Sequence, residues 1–160
     1  DSFINGSYDE ILMSDTFYGG ISSASGIYPT PDKLIGITTP AICDAIVYDY
    51  ETQSEIPLYT TDKLSGLDPY DVYLGGPKAL LKLQVSGDSS GKELVLFRDS
   101  FGSSIAPLLL ECYDTIYLID LRYTTVDTAM SLITPAKDCD VLFLYSMNVL
   151  NSGSLRTKVI

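Results

Sequence analysis

Among the 160 residues, the segment with the clearest chemical potential is Arg98-Asp99-Ser100-Phe101-Gly102. It follows the apolar run Glu93-Leu94-Val95-Leu96-Phe97. It precedes the small residues Gly102-Ser103-Ser104 and a second apolar segment, Ile105 to Tyr113. The first run predicts a buried strand and the second a helix, which leaves Ser100 on the turn between them. In α/β proteins reactive groups collect at the carboxyl ends of parallel strands, and serine esterases expose their nucleophile on such a strand-to-helix turn. The local pattern alone is weak, because Ser and Asp after a strand commonly cap the next helix, and capping is the commoner meaning. A serine hydroxyl also needs an activating base. The chain contains no histidine, which excludes a Ser-His-Asp triad, a histidine base and a histidine metal ligand within it. The lysines show no spacing that marks a Ser-Lys pair.

Other residues gather at the same predicted rim. Asp120, Arg122 and Tyr123 follow the next apolar strand, and Ser146 and Asn148 the one after. Arg122 suits bidentate binding of a substrate carboxylate or phosphate; the plainer alternative is an Asp-Arg pair that fixes a loop. Asn148 could donate to an oxyanion or cap a helix. The pairs Gly19-Gly20 and Gly75-Gly76 would let backbone amides approach a substrate, although such pairs are more often turns.

Composition bounds these options. Hydrophobic residues make up 46% of the chain, enough for one folded domain with a real core. Twenty-one acidic residues against ten basic ones give a net charge of −11. Nucleic acid and anionic membrane surfaces are therefore not expected partners. The apolar runs, such as Ala106 to Leu110, are too short to cross a bilayer, so no direct membrane insertion of this chain is expected. Its opening residues are acidic and polar rather than a basic-then-apolar leader, which by itself says little about location. Cys43, Cys112 and Cys139 match no zinc or redox spacing and are expected to be buried small apolar residues.

The elements that must position the rim divide into two textures. Residues 27–90 predict β structure with irregular connections: strands over Lys33 to Ile37, Ala45 to Tyr50 and Ala79 to Val85, and an antiparallel return over Ile56 to Thr60. A short strand near Glu10 to Met13 precedes them, after a turn at Asn5-Gly6-Ser7, and Gly75-Gly76-Pro77 is a definite break. Residues 91–150 alternate between strand and helix. Strands are expected over Leu94 to Arg98, Thr115 to Asp120 and Asp140 to Tyr145, and helices over Thr125 to Ile133 and Met147 to Leu150. Pro107 belongs in a first helical turn, so a helix is expected to start near Ser103 or Ser104. Three apolar strands with helix-length connections imply parallel pairing.

Taken in order, further segments join this set: Asp15-Thr16-Phe17-Tyr18-Gly19, Ser25-Gly26, Tyr73-Leu74-Gly75-Gly76, Tyr117-Leu118-Ile119-Asp120-Leu121-Arg122-Tyr123 and Asp140-Val141-Leu142-Phe143-Leu144-Tyr145-Ser146. With Arg98 to Gly102 and Pro107-Leu108-Leu109, the ordered set resembles the DHHW protein family. That family is similar to the SGNH hydrolase-like acyltransferases of polysaccharide O-acetylation, such as the alginate type. The resemblance implies a flavodoxin-like, SGNH-like three-layer α/β/α fold with a mainly parallel sheet. The chain would be a single domain over 1–160, truncated at its amino end, with a β-rich insertion over 27–90 and an α/β core over 91–150. It implies Ser100 as nucleophile and no cofactor. Gly75, Gly76, Arg122 and Asn148 are the candidate substrate-binding residues. The substrate would be an acylated carbohydrate of the cell envelope or another acyl ester, and the location extracytoplasmic. The family's Asp and His partners sit in an Asp-His-His-Trp type motif upstream of the Ser, and this chain has neither His nor Trp. Asp99 is thus expected to shape the turn, not to act as triad Asp, and the 160 residues alone are expected to be inactive. A rival expectation is a non-catalytic carbohydrate-binding or scaffold domain, to which the twelve tyrosines are suited.

Overall fold

The computed structural model describes residues 5–19, 25–26, 30–86 and 91–153. Strands β1 (Asp9–Phe17) and β2 (Asp32–Thr38) form an antiparallel pair of their own, with register shifts after Leu12 and Ser14. A one-turn helix, α1 (Pro40–Cys43), follows, capped by the Thr39 hydroxyl, which accepts from the Ile42 N–H at 3.2 Å. Strands β3 (Ala45–Asp49) and β4 (Ser54–Ile56) make a hairpin. Two 3-10 turns, Thr61–Ser65 and Pro69–Val72, lead to β5 (Leu80–Val85). Then come β6 (Glu93–Arg98), α2 (Gly102–Ile105) running into a 3-10 turn at Ala106–Glu111, β7 (Thr115–Ile119), α3 (Val126–Leu132), β8 (Asp140–Leu144) and α4 (Met147–Asn151).

Strands β3 to β8 form one six-stranded sheet in the order β4-β3-β5-β7-β6-β8. The expected parallel pairing holds for β6 with β7 and β6 with β8. The pairs β4–β3, β3–β5 and β5–β7 are all antiparallel. The fold is therefore mixed α/β, and the expected flavodoxin-like three-layer architecture with a mainly parallel sheet is not found. The physical reason lies in residues 27–90. Strands β3 and β5 join the main sheet, and β5 pairs directly with the buried β7. The helices are also too short to build two full layers: the longest described α-helix, α3, has seven residues.

Alternate residues of β6 and β7 point to opposite faces, as a pleated strand requires. Leu94, Leu96, Ile116 and Leu118 pack on one side with Ala106 and Leu110. Val95, Phe97, Tyr117 and Ile119 pack on the other with Ala129 and Ile133 of the α3 region. A third cluster joins Leu34 to Val72 and Tyr73. The hydroxyls of Tyr73 and Tyr59 donate to the carbonyls of Ile35 (2.8 Å) and Ile37 (2.6 Å) and tie the small sheet to the body.

Several local expectations need correction. The return strand is Ser54–Ile56, earlier than Ile56 to Thr60, because Asp49 already pairs with Ser54 and the reversal is tight, with Gln53 at φ +53°. Helix α2 starts at Gly102, with Ser103 and Ser104 inside it and no side-chain cap. None of the cysteines is buried: Cys43 and Cys112 are exposed and Cys139 half-buried, since each lies outside the buried strands that form the core. The predicted loop at Ser86 to Gly91 falls largely outside the described residues, as does Gly20.

Candidate functional site

Ser100 is exposed on the turn that joins β6 to α2, at the carboxyl end of a strand with parallel neighbours on both sides. The turn is held from below and from the side. Asp99 is 1% exposed. One of its carboxylate oxygens accepts from the Phe101 N–H at 3.0 Å and the other from the Ser146 N–H at 2.7 Å. Hydrogen bonds to a carboxylate are the stronger kind, so Asp99 locks the end of β6 to the end of β8. The expectation that Asp99 shapes the turn rests on visible contacts. The turn closes with the Ser103 N–H donating to the Ser100 carbonyl at 3.0 Å.

Beneath the turn lies Arg98, 1% exposed. Gly102 is required above it: a Cβ there would meet Arg98 Cβ at 2.7 Å. The Arg98 guanidinium approaches Asp120 at 3.6 Å and donates to the Asp99 carbonyl at 3.4 Å, while its Nε and Nη2 have no partner among the described residues. Burial pulls its pKa below the ordinary value, and the negative charge of Asp120 opposes that pull. It remains a cation, since arginine is not deprotonated in proteins.

Arg122 serves Asp120. Its Nε and Nη2 hold the two carboxylate oxygens at 2.9 Å and 2.6 Å, and its backbone N–H adds a third contact at 3.0 Å. The hydrogen bond to Asp120 raises the Arg122 pKa against its partial burial. The fork expected for a substrate anion is thus occupied by a neighbour, the loop-fixing arrangement. Tyr145 stands close by with its hydroxyl buried and without a partner among the described residues. Burial first, then the charges of Asp120 and Asp99, push it up to about 12.

A cavity of ≈ 630 Å³ opens over this rim. It brings together Ser100, Gly76, Arg122 and Asn148 from four separate stretches of the chain. Gly75 is not among the residues that line it. Gly76 sits at φ +90°, a backbone conformation that strains any side chain, and a Cβ there would lie 2.6 Å from the Asp71 carboxylate carbon; its N–H donates to the Tyr73 carbonyl at 3.3 Å. Asn148 is exposed on α4 and does not cap it. That task falls to Ser146, whose hydroxyl accepts from the Val149 N–H at 3.5 Å.

Not foreseen as part of the site are Phe17, Tyr18, Tyr70 and Tyr73, which line the same cavity together with Asp68 and Asp71. Phe17 stacks on Tyr70 at 6.2 Å, and the Tyr70 hydroxyl donates to Ser104 at 2.8 Å. Burial, then the neighbouring Asp68, raises the Asp71 pKa. The sequence signal was the Asp68-Pro69 pair, a helix-start pattern: the Asp68 carboxylate accepts from the Tyr70 N–H at 3.0 Å and so places Tyr70 and Asp71. Among the described residues no three His, Cys, Asp or Glu side chains are grouped to hold a metal ion, and no helix is long and apolar enough to cross a membrane.

No protein-family model and no curated protein sequence matches the chain. Solved structures do. A DHHW family protein from Eubacterium siraeum superposes with a TM-score of 0.63 at 16% identity, over 97% of this chain and 54% of the other. PatB1 of Bacillus cereus, carrying a sulfonyl adduct, gives 0.62 at 17% identity, over 93% of this chain and 48% of the other. The chain shares their fold. It spans about half the length of each.

Proposed function

We propose that Ser100 is the nucleophile of an SGNH-like acyl esterase or O-acetyltransferase of the DHHW kind, acting outside the cytoplasm on acylated cell-envelope carbohydrate. The observation that carries this reading is an exposed serine hydroxyl on a strand-end turn, locked by Asp99 and open to a cavity large enough for a sugar. The fold shared with a DHHW family protein and with PatB1 supports it. So does the sulfonyl adduct on PatB1, a group that reactive nucleophiles acquire.

In the proposed reaction Ser100 Oγ attacks the ester carbonyl and its proton passes to a base. The oxyanion is held by the Ser100 N–H, which has no partner among the described residues, and by Asn148. The sugar oxygen leaves with a proton and an acyl-serine remains, to be taken over by water or by another sugar hydroxyl. With no histidine among the 160 residues, the base belongs to polypeptide beyond them, and the 160-residue chain alone is inactive.

The test compares the product of the full reading frame with its Ser100→Ala variant on an aryl acetate. A loss of roughly a thousandfold or more is expected from removal of a triad member. Equal turnover by both proteins would end the proposal. The aromatic wall formed by Phe17, Tyr70 and Tyr73 favours a second reading, a non-catalytic carbohydrate-binding domain. Sugar binding that survives Ser100→Ala in a protein with no esterase activity would select it.

A further inference from the structure

We infer that β8 is an interior strand of the intact sheet, and that its outer edge pairs with a strand supplied by the same polypeptide beyond these 160 residues. This stands whether or not Ser100 is a nucleophile.

Among the described residues β8 pairs only with β6. The register sets Val95 beside Val141, Leu96 beside Leu142 and Phe97 beside Phe143. The β6 members are 3%, 0% and 6% exposed; the β8 members are 56%, 40% and 62% exposed. Successive strand residues face opposite sides, so β8 presents apolar side chains to solvent on both faces. An uninterrupted run such as Val141-Leu142-Phe143-Leu144 is the pattern of a parallel strand buried on both faces. Met130 and Leu132 of α3, and Met147 and Leu150 of α4, are exposed as well.

Sheet edges that meet water are normally blunted by charge, proline, a bulge or shortness. The opposite edge shows this, since β4 is three residues long and exposes Ser54 and Glu55. β8 has an unbroken register and no charge after Asp140. The solved structures with this fold are about twice as long as the chain, which gives the source of the covering strand. A second copy is the poorer occupant, because each copy carries a net charge of −11 and association would bring like charge together.

Hydrogen exchange over Val141 to Leu144 tests this, measured on the 160-residue chain and on the product of the full reading frame. The outward-facing amides are expected to exchange about 100-fold more slowly in the longer product, as paired core amides do. Leu142→Lys should lower the melting temperature of that product by roughly 5 °C or more. If the 160-residue chain is insoluble, this second measurement decides alone. Equal exchange, an unchanged melting temperature, or a full product that ends with these residues would overturn the inference. So would protection already present in the monomeric 160-residue chain, or a dimer of that chain dispersed by Leu142→Lys.

Discussion

The six-stranded sheet has an antiparallel half, β4-β3-β5, and a parallel half, β7-β6-β8, joined where β5 pairs with β7. The antiparallel half is closed at its outer edge. Its hairpin is local, its edge is polar, and at its rim buried Asp49 is held by Lys78 at 2.8 Å. The parallel half carries Ser100, Asp99, Arg98 and Asp120, and ends in the exposed apolar strand β8. The half with the candidate site is therefore the half whose outer edge is apolar and exposed. A polar cluster placed between parallel strand ends needs walls on every side to exclude water. An antiparallel hairpin needs only one covered face.

Leu96→Ala tests this contrast most strongly. Leu96 is fully buried one strand in from the edge, and the substitution should cost about 2–5 kcal/mol, read by denaturant unfolding. A cost below about 1 kcal/mol would mean that the parallel half is loosely packed throughout, not only at β8.

Lys78→Met probes the closed rim and should cost about 1–3 kcal/mol at neutral pH, the penalty of a buried acceptor left without its partner. Its pH dependence has a defined sign. Burial acts to raise the Asp49 pKa, but the bonds from Lys78 and the Glu51 N–H outweigh it, and the net shift is downward from 3.8. A group with a depressed folded-state pKa contributes stability that is present above its unfolded value and lost as pH falls through the folded one. The deficit of Lys78→Met should therefore be complete at neutral pH and shrink below about pH 3.8. A deficit that stays constant through the acid range would remove Lys78 as the cause.

Smaller effects separate the two edges. Leu142→Ala should cost about 1 kcal/mol or less in the 160-residue chain, where the side chain is partly solvated. In the full product it should cost about 2–5 kcal/mol, as at any core leucine. Equal costs in the two proteins would place the edge in solvent in both. Glu55→Lys on β4 should change stability by about 0.5 kcal/mol or less; a larger change in melting would show that the polar edge has a partner of its own.

Much of the parallel half was legible. The apolar runs at Leu94, Thr115 and Val141 gave three strands whose pairing is parallel. The break at Arg98 to Gly102 placed Ser100 on a turn, where it lies. Pro107 misled, because it sits in the 3-10 turn after α2 and not at the start of that helix. The antiparallel half was legible strand by strand but not as part of the sheet. The pairing of β5 with β7 joins Leu80 to Ile119, and no periodicity within either segment encodes a partner so distant. Nor could Arg122 be assigned. Its sequence neighbourhood suits a substrate anion as well as the plainer pairing with Asp120, and the choice depends on Asp120 being wholly buried at that rim.

By itself the sequence determined the strand pattern of the parallel half, the exposed turn that carries Ser100, and the absence of any histidine to activate it. These are properties of type and spacing within a few residues, where local sterics and hydrophobic period decide the outcome. Only the tertiary structure decided that β3, β4 and β5 join the same sheet, that Arg98 lies buried beneath Gly102, and that Asp68, Tyr70 and Asp71 line one cavity with Ser100. Those arrangements come from segments far apart in the chain, and it is shared burial, not local preference, that selects which of them meet.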